Sequence, residues 1–280
     1  MSNLLYDNLF GFHVENDKPF LTYYDGSQIS YDAFLRMASR FANVIKAAGL
    51  AAGDRLAVQV EKSAEALAIY AACVQSGVIF LPLNTAYKPA EVDYFISDSG
   101  ARMLIAGDAE NLQPVAAAHG AILHHMAADG SGSFTKLAAN ASDQFTPVPR
   151  KGNDLAALLY TSGTTGRSKG AMLTQNNLLS NAQTLVNAWR FTERDVLLHA
   201  LPIFHTHGLF VATNIILLAR ASMIFLPKFD VDSVFALLPR ATSMMGVPTF
   251  YTRLLDDERL TADSTAHIRL FVSGSAPLLA

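Results

Sequence analysis

Leu158-Leu-Tyr-Thr-Ser-Gly-Thr-Thr-Gly-Arg-Ser-Lys-Gly170 is the stretch that fixes how the rest of the chain is read. Residues 155–160 are apolar and read as a buried strand, and behind them come hydroxyls, glycines and one lysine. Glycine allows a backbone turn with φ > 0 and a close approach of ligand to main chain. Successive N–H groups in such a turn form a concave nest for anions. Here Gly163 and Gly166 supply the turns, Thr161, Ser162, Thr164 and Thr165 add hydroxyl donors, and Lys169 adds a mobile positive charge. The set suits a polyphosphate. It is not the usual P-loop, because the second glycine that pattern requires falls at Ser168. A Gly/Ser/Thr-rich surface loop is the competing reading. Placement separates the two, since an apolar strand runs straight into the loop, as phosphate loops require.

Composition bounds the rest. The 280 residues are 51% hydrophobic with a net charge of −3, enough for one large domain or two smaller ones with a real core. Near-neutral charge leaves no electrostatic footprint for nucleic acid or an acidic membrane surface. Cys73 is the only cysteine, so no internal disulfide forms; it sits in an apolar run and reads as a buried thiol. A reducing, cytoplasmic location is expected. The first ten residues lack a basic region followed by an apolar core, so no signal peptide is expected. Residues 209–227 are apolar but interrupted by Thr213, Asn214 and Arg220, so no membrane span is expected.

Along the chain, residues 19–24 and 28–31 flank Asp25-Gly26 as a hairpin. Strands over 55–60, 78–83, 103–106 and 121–124 alternate with helices, then residues 127–153 dissolve into a connection rich in Gly, Ser, Asn and Pro. Alternation resumes with strands over 155–160, 196–201, 223–226, 244–247 and 269–273. The fold class is therefore α/β, with layered, mostly parallel sheets. The expected division is a first α/β subdomain over 1–150 and a second over 151–280.

Three further segments carry chemistry. In Leu201-Pro-Ile-Phe-His-Thr-His-Gly208, an extended strand would put His205 and His207 on one face. A metal pair would need further ligands, and residues 208–212 supply none, so one satisfied histidine beside one exposed one is the simpler reading. In Gly246-Val-Pro-Thr-Phe-Tyr-Thr-Arg253, the arginine is either a solvated helix charge or, facing inward, the partner of an anion. In Val272-Ser-Gly-Ser-Ala-Pro-Leu278, Ser273, Gly274 and Ser275 either bring backbone close to a flat ligand or form a plain strand-to-helix turn.

Residues 160–170 resemble the signature loop of the adenylate-forming superfamily, which holds acyl-CoA synthetases, peptide-synthetase adenylation domains and beetle luciferases. They depart from it at Ser168, where many members carry proline, which implies a less stiff loop. The segments around His205 and Arg253 resemble the next motifs and look specifically like those of malonyl-CoA synthetases. The resemblance implies an incomplete N-terminal large domain in which residues 151–280 are the AMP-binding part. It places His205 near the reacting carboxyl and the thiol's approach, His207 in the acyl pocket, and residues 273–275 along the adenine. An inward Arg253 would then select a dicarboxylic acid.

The implied substrates are ATP with Mg2+, a carboxylic acid (malonate favoured) and coenzyme A. A carboxylate attacks the α-phosphate, giving acyl-adenylate and pyrophosphate; coenzyme A thiolate then displaces AMP. His205 and Lys169 are the expected catalytic residues. Family parts expected after residue 280 are a Tyr-Gly-x-Thr-Glu motif, a ribose-binding aspartate and a C-terminal lid domain with a catalytic lysine. The expectation is thus an N-terminal fragment with little or no activity alone and apolar strand edges prone to aggregation. No residue is expected to hold a metal, and the sequence is silent on oligomeric state. Alternatives are a synthetase for another acyl or aryl acid, a non-catalytic nucleotide-binding remnant, and, last, a zinc hydrolase built on His205 and His207.

Overall fold

The computed structural model describes residues 2–161 and 167–277. In chain order the strands are β1 (Pro19–Thr22), β2 (Gln28–Ser30), β3 (Arg55–Gln59), β4 (Ile79–Pro82), β5 (Met103–Ala106) and β6 (Ile122–His125). After these come β7 (Leu155–Thr161), β8 (Lys169–Thr174), β9 (Val196–His199), β10 (Ser222–Phe225), β11 (Ser243–Gly246) and β12 (Leu270–Ser273). They form two six-stranded sheets in a chain of two compact units, Met1–Val14 with Ala33–Leu179, and Glu15–Asp32 with Ser180–Ala280. The α/β class expected from the alternation is what the chain adopts.

The first unit holds the sheet β6-β5-β3-β4-β7-β8, parallel throughout except for the β7–β8 pair. Its strands are short apolar runs because both faces are covered. Helix Ala64–Ser76 is buried on nearly every side, as its Ala-rich sequence with Glu65 as the one charge predicts. Ser63 caps it, accepting from the Ala66 N–H, and Gly77 closes it with φ 73°. Cys73 is fully buried there, and burial pushes its thiol up, away from reactivity. On the other side of the sheet, Val92, Phe95 and Ile96 of helix Pro89–Ser99 pack with Leu81, Leu83 and Leu104. The stretch expected to be a plain connection contains a helix, Ser133–Ala139, because Phe134 and Ala138 find burial there.

The second unit holds the sheet β12-β11-β9-β10-β1-β2, again parallel apart from one antiparallel pair, β1–β2. The expected hairpin forms, and β1 pairs with β10 in the register Leu21↔Met223. The core here is built from Leu198, Ile224, Leu226, Val234, Leu237 and Met244. The division between units falls at 179/180 rather than 150/151, since β7 and β8 pair into the first sheet, and residues 15–32 join the second. No helix among the described residues is long and apolar enough to cross a membrane.

Candidate active site

The described ends of the signature segment, Tyr160–Thr161 and Lys169–Gly170, belong to a two-stranded ribbon in the first unit. β7 and β8 pair in antiparallel register, Tyr160 opposite Gly170 and Thr161 opposite Lys169. Ser162, Gly163, Thr164, Thr165 and Gly166, five of the expected phosphate-binding residues, lie outside the described residues. Of the described ones, Thr161 and Lys169 are exposed and face each other across the last pair of the ribbon. A Cβ at Gly170 would stand 3.4 Å from the Tyr160 ring, in ordinary contact, so Gly170 is not forced by packing. The sequence reading named no strand after the loop, but β8 runs to Thr174 with half of its positions exposed, which is why no apolar run announces it.

The second unit carries a cavity of about 300 Å3 lined by His207, Thr206, Trp189, Ser273, Gly274 and Ser275, with Leu185, Val211 and Val272. His207 is 9% exposed. Its Nδ1 lies 3.1 Å from the Ser275 hydroxyl, and a Cβ at Gly274 would press on its ring at 3.1 Å. Ser275 holds φ at 69°, a left-handed conformation that costs a non-glycine residue about 1 kcal/mol. Burial holds His207 below the usual histidine value, so at neutral pH its ring is an uncharged hydrogen-bonding group. The structure thus brings together His207 and the 273–275 segment, four of the expected site residues.

His205 is placed differently. Residues 203–205 form a turn rather than a strand, and a π-helical segment, His207–Thr213, starts at the second histidine. The two rings therefore do not share a strand face. His205 is exposed and tilts against Phe204 at 4.5 Å. Among the described residues no group of three or more His, Cys, Asp or Glu side chains could hold a metal ion. Arg253 is also exposed: its guanidinium lies 5.0 Å over the Phe229 ring, near Asp230, whose carboxyl is held below the ordinary aspartate value chiefly by the Ser233 hydrogen bonds, with Arg253 adding a smaller favourable charge. It is absent from the His207 cavity, because the aromatic face and the nearby carboxylate satisfy its charge at the surface. Of the two orientations the sequence left open, Arg253 adopts the solvated one among the described residues.

The sequence reading missed His199. It is 1% exposed at the end of β9, and its Nε2 meets the Gly208 carbonyl at 2.8 Å, the same oxygen that accepts from the Thr213 hydroxyl at 3.0 Å. These two bonds fix the start of the π-helical segment and so the seat of His207. Trp189 and Thr206 were missed as well. A lone aromatic at a helix end and a threonine between two histidines give no signal until the β12 turn comes beside them.

Residues 12–280 match the family model described as AMP-binding enzyme. The structure aligns over all of its length with ATP-bound MatB from Rhodopseudomonas palustris, at TM-score 0.96 and 53% identity, covering 56% of that chain. A malonate–CoA ligase of Arabidopsis thaliana is 33% identical over 81% of this chain and 41% of its own. A feruloyl-CoA synthase of Amycolatopsis is 33% identical over 90% of this chain and 50% of its own. The chain spans about half the length of the relatives it matches. With the ribbon, the loop sequence and the family match along nearly its whole length, the chain belongs to the AMP-binding enzyme family.

Proposed function

We propose that this chain supplies the nucleotide-phosphate loop and the acyl pocket of an ATP-dependent acid–thiol ligase, with malonate the favoured acid. The observation that carries the reading is 53% identity, along the entire chain, to a protein solved with ATP bound. The malonate–CoA ligase likeness favours malonate as the acid. In this reading a carboxylate attacks the α-phosphate of ATP, releasing pyrophosphate, and coenzyme A thiolate then displaces AMP from the acyl-adenylate. The first step converts a poor leaving group, a carboxylate oxygen, into a good one, a phosphate monoester. Negative charge gathers on the phosphates as it proceeds, so fixed positive groups are the main lever.

Each residue has a part in this. Lys169, exposed and anchored by the Thr161 pairing, follows the departing pyrophosphate with its flexible stem. A Ser275 hydroxyl donating to Nδ1 of His207 leaves the ring proton on Nε2, the tautomer that donates to an acyl oxygen. Residues 273–275 bring backbone up to the nucleotide's flat base. His205, exposed on the turn before, is assigned to the thiol's approach. Mg2+ accompanies ATP as its phosphate complex.

A second reading, an apolar acyl or aryl acid, is favoured by the cavity itself. None of its lining side chains is lysine or arginine. ATP–pyrophosphate exchange by the natural polypeptide that contains this sequence separates the two. Malonate should drive exchange roughly tenfold faster than ferulate or octanoate. Faster exchange with ferulate or octanoate would replace malonate by the apolar reading. In the same assay Arg253→Leu should leave malonate use unchanged, given where the guanidinium sits.

A further inference from the structure

Tyr94 and Asp98 lie one turn apart on helix Pro89–Ser99, on a single face. Each holds one arm of the loop ribbon. The Tyr94 hydroxyl donates to the Ser168 carbonyl at 2.8 Å, just before β8 begins. The Asp98 carboxylate accepts from the Tyr160 hydroxyl at 2.6 Å, just before β7 ends. Two ring contacts reinforce the pair: Arg167 lies 5.5 Å over Tyr94, and Phe95 tilts against Tyr160 at 4.5 Å. Burial, then the Asp98 hydrogen bond and charge, push the Tyr160 phenol up, so it stays a donor throughout the usable pH range.

The helix is held independently of the loop. Pro89 starts it, the Glu91 carboxylate accepts from the Lys88 N–H at 2.9 Å, and His119 Nε2 meets Asp93 at 2.8 Å on the same helix. Val92, Phe95 and Ile96 are buried in the core. The helix is thus a fixed beam, and the two arms of the ribbon are tied to it immediately beside the loop.

We propose that Tyr94 and Asp98 are positioning residues that latch the two take-off points of the phosphate loop, and with them Lys169, to the core of the first unit. The proposal rests on reading that loop as the phosphate holder. Without proline at position 168 to stiffen the loop, the Tyr94 bond to the Ser168 carbonyl supplies restraint at that residue.

Trypsin reports on the latch directly, because Arg167 and Lys169 are exposed cleavage sites at the loop's exit. The test compares native-state cleavage after these two residues, followed by peptide mass, in the wild-type chain and in Tyr94→Phe, Asp98→Asn and Asp93→Asn. Losing the Tyr94 bond should speed cleavage about fivefold in Tyr94→Phe, and replacing the Asp98 carboxylate by a weaker, neutral acceptor should speed it by a smaller factor in Asp98→Asn. Asp93→Asn, which loses the His119 contact but no loop contact, should leave it unchanged. Mg·ATP should slow cleavage in the wild type, and half-protection should need several-fold more ATP in the two latch variants only. Wild-type cleavage rates in both latch variants, or an equal rise in Asp93→Asn, would overturn the proposal. Failure of ATP to protect even the wild type would count against the phosphate reading, while the cleavage comparison would still decide the latch.

Discussion

Gly208 shows how tightly the second unit's pocket is specified at the scale of one residue. A Cβ added there would run into the Pro202 carbonyl, and it would crowd Leu201 at 3.1 Å. The backbone has no room to yield, because the Gly208 carbonyl is tied to both His199 and Thr213. Gly208→Ala should therefore destabilise the chain by about 2–3 kcal/mol in urea unfolding, the cost of forced overpacking. A loss within about 0.5 kcal/mol, the level of a neutral surface change, would show that the turn gives way easily. The two histidines beside it show the limit of reading residues by spacing. A period of two is informative only on a strand, and here a π-helical segment begins at His207. The sequence, read for its residues alone, favoured one satisfied and one exposed histidine, as the structure has them, and ranked His205 first only through the family resemblance. It could not find His199, whose role exists only because β9 passes beneath the turn.

At the scale of elements, the most demanding contact joins the starts of β9 and β12. Asp195, with a side chain 5% exposed, accepts from Arg269 at 2.6 and 2.9 Å, from the Thr242 hydroxyl at 2.8 Å and from the Thr192 N–H at 2.8 Å. Burial alone would raise this carboxyl, but the bonds from Arg269, Thr192 and Thr242 outweigh it and hold it below the ordinary aspartate value. A carboxyl depressed in the folded state contributes stability that is full above its unfolded value, near 4, and is lost as pH falls through its folded value. Asp195→Asn should thus cost about 2 kcal/mol at pH 7, and the gap to wild type should narrow below about pH 4. Urea unfolding at both pH values checks this; an equal gap at both would mean the charge contributes nothing. Most of the strands were legible as short apolar runs bounded by turn residues, and Met103–Ala106 falls where the run predicts. β8 was not, because an exposed edge strand has no apolar run, and helix Ser133–Ala139 hid in a stretch whose Gly, Ser and Asn content signals only loop.

At the scale of the whole molecule, the two sheets follow from strand–helix alternation, but their membership does not. β1 joins β10 from far along the chain, and nothing local to residues 19–22 indicates that partner. The same holds for the 151–179 segment, which local reading grouped with the later strands and pairing groups with the earlier ones. Function was legible in proportion to how local its signal is. The signature loop was recognised from one stretch, whereas the choice of acid turns on where side chains such as Arg253, here over Phe229, point. The central claim is that the ribbon's loop and Lys169 hold the phosphates of ATP. Titration calorimetry of the chain with Mg·ATP, wild type against Lys169→Ala, tests it most directly. The wild type should bind, and the variant should bind roughly tenfold more weakly, as loss of one charge-assisted phosphate contact dictates. Equal affinities, or no binding by the wild type, would contradict it.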